Sequence, residues 1–212
     1  MVMKRNAMRK NLTQSILRSL GRYIAIVAII ALGASMFVGL LMTKSDMVAT
    51  GQKFMDEQNM FDLRLMNSYG WDWKHLDAVS QMDGVVDAEP VLYMDLIAQT
   101  DSVQEDNVYR FISIPEKINR VSLWGGRMPQ SPNECLMEGF NNDDSILGTT
   151  VYIRDTNDED ALDAMKEHTL TVVGYVATPL YMDMNRGTTS VGNGSLTGFF
   201  YVPPDTMDLD YI

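Results

Sequence analysis

The side chains of this chain that could do covalent or metal chemistry are few and scattered. His75, His168 and Cys135 are its whole complement of imidazole and thiol groups. A nucleophilic triad needs a hydroxyl or thiol, an imidazole and a carboxylate within mutual reach. Here His75 falls on a predicted helix and His168 at the start of a predicted strand, with no Ser or Cys arranged beside either. Cys135 has no second thiol to pair with and reads as a small buried residue. Gly192-Asn193-Gly194-Ser195-Leu196-Thr197-Gly198 invites a phosphate-loop reading, because amides at a helix start bind anions. It lacks the dinucleotide spacing and a following Gly-Lys-Ser/Thr, and it leads into a strand, so it predicts a turn. Asp155 to Asp160 has the oxygen density of a calcium loop. Its sixth position is Asp160 instead of Gly and its twelfth is Lys166 instead of Glu, which predicts a solvated acidic loop. The 17 Met form no copper box; Met182 and Met184 are the nearest pair, and core filling explains the rest. The sequence therefore predicts no catalytic, cofactor-binding or metal residue.

The elements that carry these residues are more informative. The 212 residues bear 17 Lys+Arg against 28 Asp+Glu, a net charge of −11, and the mean hydropathy of −0.10 resembles that of a soluble domain. That average hides a segregation. Residues 1–22 hold Lys4, Arg5, Arg9, Lys10, Arg18 and Arg22 with no acid, so the remaining residues carry −17. Between head and body, Tyr23 to Thr43 has no ionisable side chain apart from Tyr23 itself. At ~1.5 Å per residue it spans roughly 30 Å, the thickness of a bilayer core, and predicts a transmembrane helix. A cleaved secretory signal fits less well, because its apolar region is shorter and ends in a small-x-small site.

The excess of Lys and Arg before the span places the N-terminus in the cytoplasm and everything after about residue 43 outside the cell membrane. Arg9, Lys10, Arg18 and Arg22 lie on a helical pattern with Met8, Leu12, Ile16, Leu20 and Tyr23. They either rest on anionic headgroups of membrane lipid or simply enforce topology. Within the span, Ala31, Ser35 and Gly39 fall four apart, a stripe of small residues that lets another helix approach closely. An acidic exterior argues against nucleic acid as a partner.

The expected fold class is α+β: residues 1–22 a basic cytoplasmic or interfacial helix, 23–43 a transmembrane helix, 44–60 a helical stalk, and 61–212 a mixed α+β extracytoplasmic domain. Within that domain Phe61 to Met66 predicts a strand. Asp72 caps a helix bearing Trp73, Leu76 and Val79, which ends at Gly84. Further strands are expected over Val85 to Gln99, Val108 to Ile114, Thr149 to Arg154, Thr169 to Ala177 and Gly198 to Val202.

An ordered set of short motifs accompanies this pattern: Arg18-Ser19-Leu20-Gly21-Arg22-Tyr23 entering the span, Ala31-Leu32-Gly33 within it, Phe61-Asp62-Leu63, and Gly84-Val85. Gly126-Arg127-Met128-Pro129 comes next with Asn133-Glu134-Cys135-Leu136, then Leu147-Gly148-Thr149, Val172-Val173-Gly174, and Pro179 to Val202. With them the chain resembles the N-terminal part of FtsX-like ABC transporter permeases with a MacB-like extracytoplasmic core domain. The resemblance implies a permease subunit without catalysis of its own, paired with further permease helices or a second permease chain. A separate ABC subunit would bind the ATP and move the ectodomain to export or handle a substrate outside the cell. Such proteins usually have at least four membrane helices, so the chain reads as cut short within its ectodomain. A single-pass anchored binding or sensor domain working without an ATPase is the alternative.

Overall fold

In the computed structural model the described residues are 8, 10, 11, 13–15, 18–67, 70–139, 144–181 and 186–208. They divide into two compact units, Met1–Lys53 and Phe54–Ile212. The first holds all but the last four residues of a helix, α1, which runs without a break over 38 residues, Leu20–Glu57, about 57 Å at the usual rise. None of its residues is buried, although its first half is almost wholly Ile, Val, Leu, Ala and Met. Its hydroxyls fold back onto its own carbonyls: Ser35 Oγ donates to Leu32 O at 3.0 Å and Thr43 Oγ1 to Gly39 O at 2.8 Å. Polar side chains are satisfied in this way where no water is at hand.

The second unit is a mixed sheet of seven strands: β1 (Tyr93–Thr100), β2 (Val103–Ser113), β3 (Ser122–Gly126), β4 (Glu134–Glu138), β5 (Thr150–Ile153), β6 (Thr169–Ala177) and β7 (Gly198–Val202). Their order is β3-β6-β4-β7-β2-β1-β5, and β5 also pairs with β6, so six of the strands close on themselves. Neighbours are antiparallel except β2 with β7 and β4 with β6. Along one edge of β6, Thr169 to Thr171 face β5 and Gly174 to Ala177 face β3. Closure removes most of the free edge that an open sheet would present.

Alternation decides what goes inside. Leu96, Ala98, Tyr109, Phe111, Cys135, Val151, Leu170, Val172, Phe200 and Val202 form one core, and Val108, Ile112, Leu136, Val176, Phe199 and Tyr201 a second on the opposite face. Strand β7 is buried on both faces, as its unbroken Phe-Phe-Tyr-Val run requires. Two glycines of the quoted motifs are there for space. A Cβ on Gly126, whose φ is +75°, would stand 2.3 Å from Val173 O, and one on Gly174 would stand 2.6 Å from Arg127 O.

Strands β6 and β7 have the limits that periodicity predicts, and the mixed sheet domain after a long apolar helix is the expected class. Other elements differ. Phe61 to Met66 forms no strand; Leu63 and Leu65 are 82% and 55% exposed, so no sheet face takes up its apolar side chains. The first capped helix, α2 (Trp73–Ser80), ends before Gly84, and Asp72 stands at its start without a side-chain cap bond. The strand expected from Val85 begins only at Tyr93, since Pro90 has no N–H to give a ladder. Strands β3 and β4 are not among the expected strands; their residues stand in the sequence only as the motifs Gly126 to Pro129 and Asn133 to Leu136. A short third helix, α3 (Glu159–Asp163), lies between β5 and β6.

Candidate functional site

One helix among the described residues, α1, is long and apolar enough to cross a membrane. It carries Ala31, Ser35 and Gly39 on exposed turns, and nothing lies within 4 Å of where a Cβ on Gly39 would be. A small-residue face this open can admit a second helix. Lys10, Arg18 and Arg22 are helical and exposed, whereas Arg9, Leu12 and Ile16 lie outside the described residues.

In the sheet domain polar groups converge on the face of β1, β2, β7 and β4 against which Tyr181, Val191 and Leu196 pack. Asp95, Arg110 and Phe199 occupy one row across three strands. Arg110 meets Asp95 through two bonds, Nε to Oδ1 at 2.6 Å and Nη2 to Oδ2 at 2.7 Å, with both side chains largely buried. This fork geometry holds the guanidinium well above its usual pKa and firmly charged. Arg110 also donates to Tyr181 Oη at 3.3 Å and lies over the Tyr93 ring at 4.8 Å. Tyr181 stacks on Phe199 with ring centroids 3.6 Å apart.

On the other side of Phe199, Arg186 Nη1 donates to Glu138 Oε1 at 2.7 Å, and its guanidinium lies 5.6 Å from the Phe199 centroid. Burial raises the Glu138 pKa, and Arg186 offsets part of that rise. Tyr201 stands within the same face, its phenol pushed far up by burial. Nearby Leu196 is buried, and Thr188 bridges Ser195 around a turn with Gly192 and Gly194 at positive φ. The glycine-rich run is thus the tight turn that feeds β7. Met182 and Met184 lie outside the described residues.

The Gly-Arg-x-Pro motif has a partner of its own. Arg127 holds Glu134 through both guanidinium nitrogens, Nη1 to Oε2 at 2.7 Å and Nη2 to Oε1, while Gln130 N donates to Glu134 Oε2 at 2.7 Å. These bonds, Arg127 first and the Gln130 amide next, lower the Glu134 pKa to about 2. A depressed carboxylate contributes stability above its unfolded pKa and loses it as the pH falls toward the folded value. Arg127→Ala is therefore expected to return the Glu134 titration most of the way to the ordinary carboxylate range. Carboxyl chemical shifts across pH 2 to 6 would read the change; a Glu134 that still titrates near 2 would rule this cause out.

The remaining candidates are structural. Cys135 is fully buried in β4 with its thiol pushed up by burial. His75 lies edge-on to Trp71 at 6.1 Å, and His168 Nε2 stands 3.1 Å from Leu162 O. In the acidic run, Asp158 caps α3 by accepting from Asp160 N, and Asn157 exchanges two bonds with the Ile97 backbone at 2.7 and 2.8 Å. The run is a staple between β1 and the loop after β5. Among the described residues no three His, Cys, Asp or Glu side chains come together to hold a metal ion. Sequence reasoning missed Asp95, Arg110, Glu138 and Asn157, because each takes its meaning from a partner that topology alone brings near.

No protein family matches the chain by sequence, and no curated protein matches it. Among solved structures it is similar to the extracellular domain of the noncanonic ABC-type transporter YknZ from Gram-positive bacteria. The identity is 14% over 69% of this chain and 70% of that one, with a TM-score of 0.37.

Proposed function

We propose that this chain belongs to a permease subunit of an ABC-type transporter or mechanotransmission complex. The observation that carries the reading is α1: one unbroken helix whose first half is apolar and unburied, and whose last turn belongs to the sheet unit. Such a helix anchors a folded domain at the membrane surface, with the basic head retained in the cytoplasm and the acidic domain outside. The Ala31, Ser35 and Gly39 face receives a further permease helix, and the basic head rests against anionic lipid. The ordered motifs support the same reading, since Arg127 with Glu134, the Gly126 and Gly174 contacts and the Arg186 to Leu196 segment are built into the frame of the domain. ATP is bound by a separate cytosolic subunit, and the substrate is handled outside.

The test is purification of the chain from membranes of cells that carry its native neighbours, read by mass spectrometry. Recovery of an ABC-type ATP-binding subunit is expected. Its absence, when a longer natural version does recover one, would sink the permease reading for this polypeptide and favour an anchored binding domain.

A further inference from the structure

Asn193 is the one asparagine of the sequence that is followed by a glycine. In such a pair the backbone nitrogen of the glycine can reach the side-chain Cγ of the asparagine, because no Cβ stands in the way. The pair sits in the turn before β7, with Asn193 exposed and Gly194 at φ +82°. Asn193 Oδ1 accepts from Ser195 N at 3.0 Å. This bond folds the side-chain amide forward over the residues that follow, as an Asx turn does. It also polarises the amide carbonyl and leaves Cγ more open to attack. The other asparagines are set differently: Asn119 is buried, and the Asn157 amide donates to two carbonyls, Ile97 O and Arg154 O.

The turn has no slack. A Cβ on Gly192 would stand 2.7 Å from Val108 Cγ2, and Thr197 N donates to Val108 O at 2.8 Å, so both ends rest on one residue of β2. Across the turn Thr189 N donates to Gly194 O at 3.2 Å and Leu196 N to Gly187 O at 3.3 Å, beside the bridge of Thr188 with Ser195.

We propose that Asn193 is a self-modification site: in the folded protein its side-chain amide is converted to aspartate and isoaspartate, and the turn before β7 loosens as isoaspartate forms. The Gly194 nitrogen bonds to Asn193 Cγ while the bond from Cγ to Nδ2 breaks, and Nδ2 leaves as ammonia with the proton that the Gly194 nitrogen gives up. Water then opens the five-membered imide. Opening at Cγ gives aspartate in an ordinary backbone; opening at the Asn193 carbonyl carbon gives isoaspartate, whose chain runs through the side chain and is one atom longer. Both products exchange a neutral amide for a carboxylate, and nothing is oxidised or reduced. Gly194 N donates to Val191 O at 3.1 Å, a bond that opens in the local fluctuations of an exposed turn. The extra atom has no place between two ends that both rest on Val108, so the contacts across the turn give way.

The full chain, aged in lipid nanodiscs at mildly alkaline pH, tests the site. The tryptic peptide that begins at Gly187 should gain the mass difference between an acid and an amide and become a substrate for an isoaspartyl methyltransferase. Peptides carrying Asn107, Asn133 and Asn157 should stay unchanged. A urea-unfolded sample aged in parallel supplies the reference. A folded chain that gains nothing at Asn193 while the unfolded one does would overturn the proposal, and so would equal conversion at the other asparagines.

Hydrogen exchange reads the loosening. Residues 187–197 should exchange faster in the aged protein than in the fresh one, with 107–113 unaltered. Asn193→Ser keeps a side-chain oxygen for the Ser195 amide and has no amide to lose, so it should keep the exchange of fresh protein after the same ageing. Equal loosening in Asn193→Ser, or none in a wild type shown to carry isoaspartate, would overturn the link between the modification and the turn.

Discussion

Arg186→Ala is expected to destabilise the sheet domain by about 3–5 kcal/mol, the cost of breaking a buried ion pair from one side. The side chains of Arg186 and Glu138 are 13% and 8% exposed, so the carboxylate left behind cannot turn to water. Arg186 lies over Phe199, and Tyr181 stacks on the same ring while bonding Arg110.

The pH dependence has a definite sign. Burial raises the folded pKa of Glu138 above its unfolded value. Such a group contributes stability below its unfolded pKa, and that contribution is lost as the pH rises through the folded pKa. Removing Arg186 takes away the partial offset and raises the folded pKa further. The deficit of Arg186→Ala should therefore be largest at neutral pH and shrink as Glu138 protonates. Adding Glu138→Gln should recover part of the loss at pH 7, because no buried charge remains. Urea melts of the three proteins at pH 5 and pH 7.5 measure this directly. A deficit of the same size at both pH values, unrelieved by the second substitution, would show that Arg186 acts through packing alone.

Phe200→Ala should cost a similar ~3–5 kcal/mol, but by a different route and without pH dependence. Phe200 is fully buried at the middle of β7, 5.4 Å from the Phe111 ring and 5.0 Å from that of Tyr109. Strand β7 is the link between β2 and β4, so these neighbours cannot close in without breaking two ladders. A fall in the thermal midpoint of the sheet on the order of 10 °C follows for a domain of this size. A loss of only a degree or two would mean that the core collapses onto the gap.

Both effects rest on residues whose importance was unequally visible in the sequence. The strand that carries Phe200 was legible, because Gly198 to Val202 is a run without a charged side chain, though not the burial of both its faces. The limits of β6 were legible for the same kind of reason, and α1 announced itself by length and apolarity. The pairing of Arg186 with Glu138 was not, since it joins positions 48 residues apart that meet only because β4 lies beside β7. Arg110 and Asp95 are register partners across a hairpin, so their meeting needed the register, which the late start of β1 at Tyr93 obscured. Arg127 and Glu134 stood in two successive motifs, yet spacing alone could not distinguish a clamp from a binding site. At Phe61 to Met66 the pattern misled in the opposite sense: a strand-like run found no ladder to join.

The proposed topology puts the sheet domain outside the membrane and the basic head inside. Single cysteines introduced at Ser102, on the exposed β1–β2 turn, and at Lys10, in a background where the buried Cys135 is replaced by Ala, test it with a membrane-impermeant maleimide. The account predicts that Ser102→Cys is labelled in intact cells and Lys10→Cys only after the membrane is opened. Labelling of Lys10→Cys in intact cells, with Ser102→Cys protected, would contradict it.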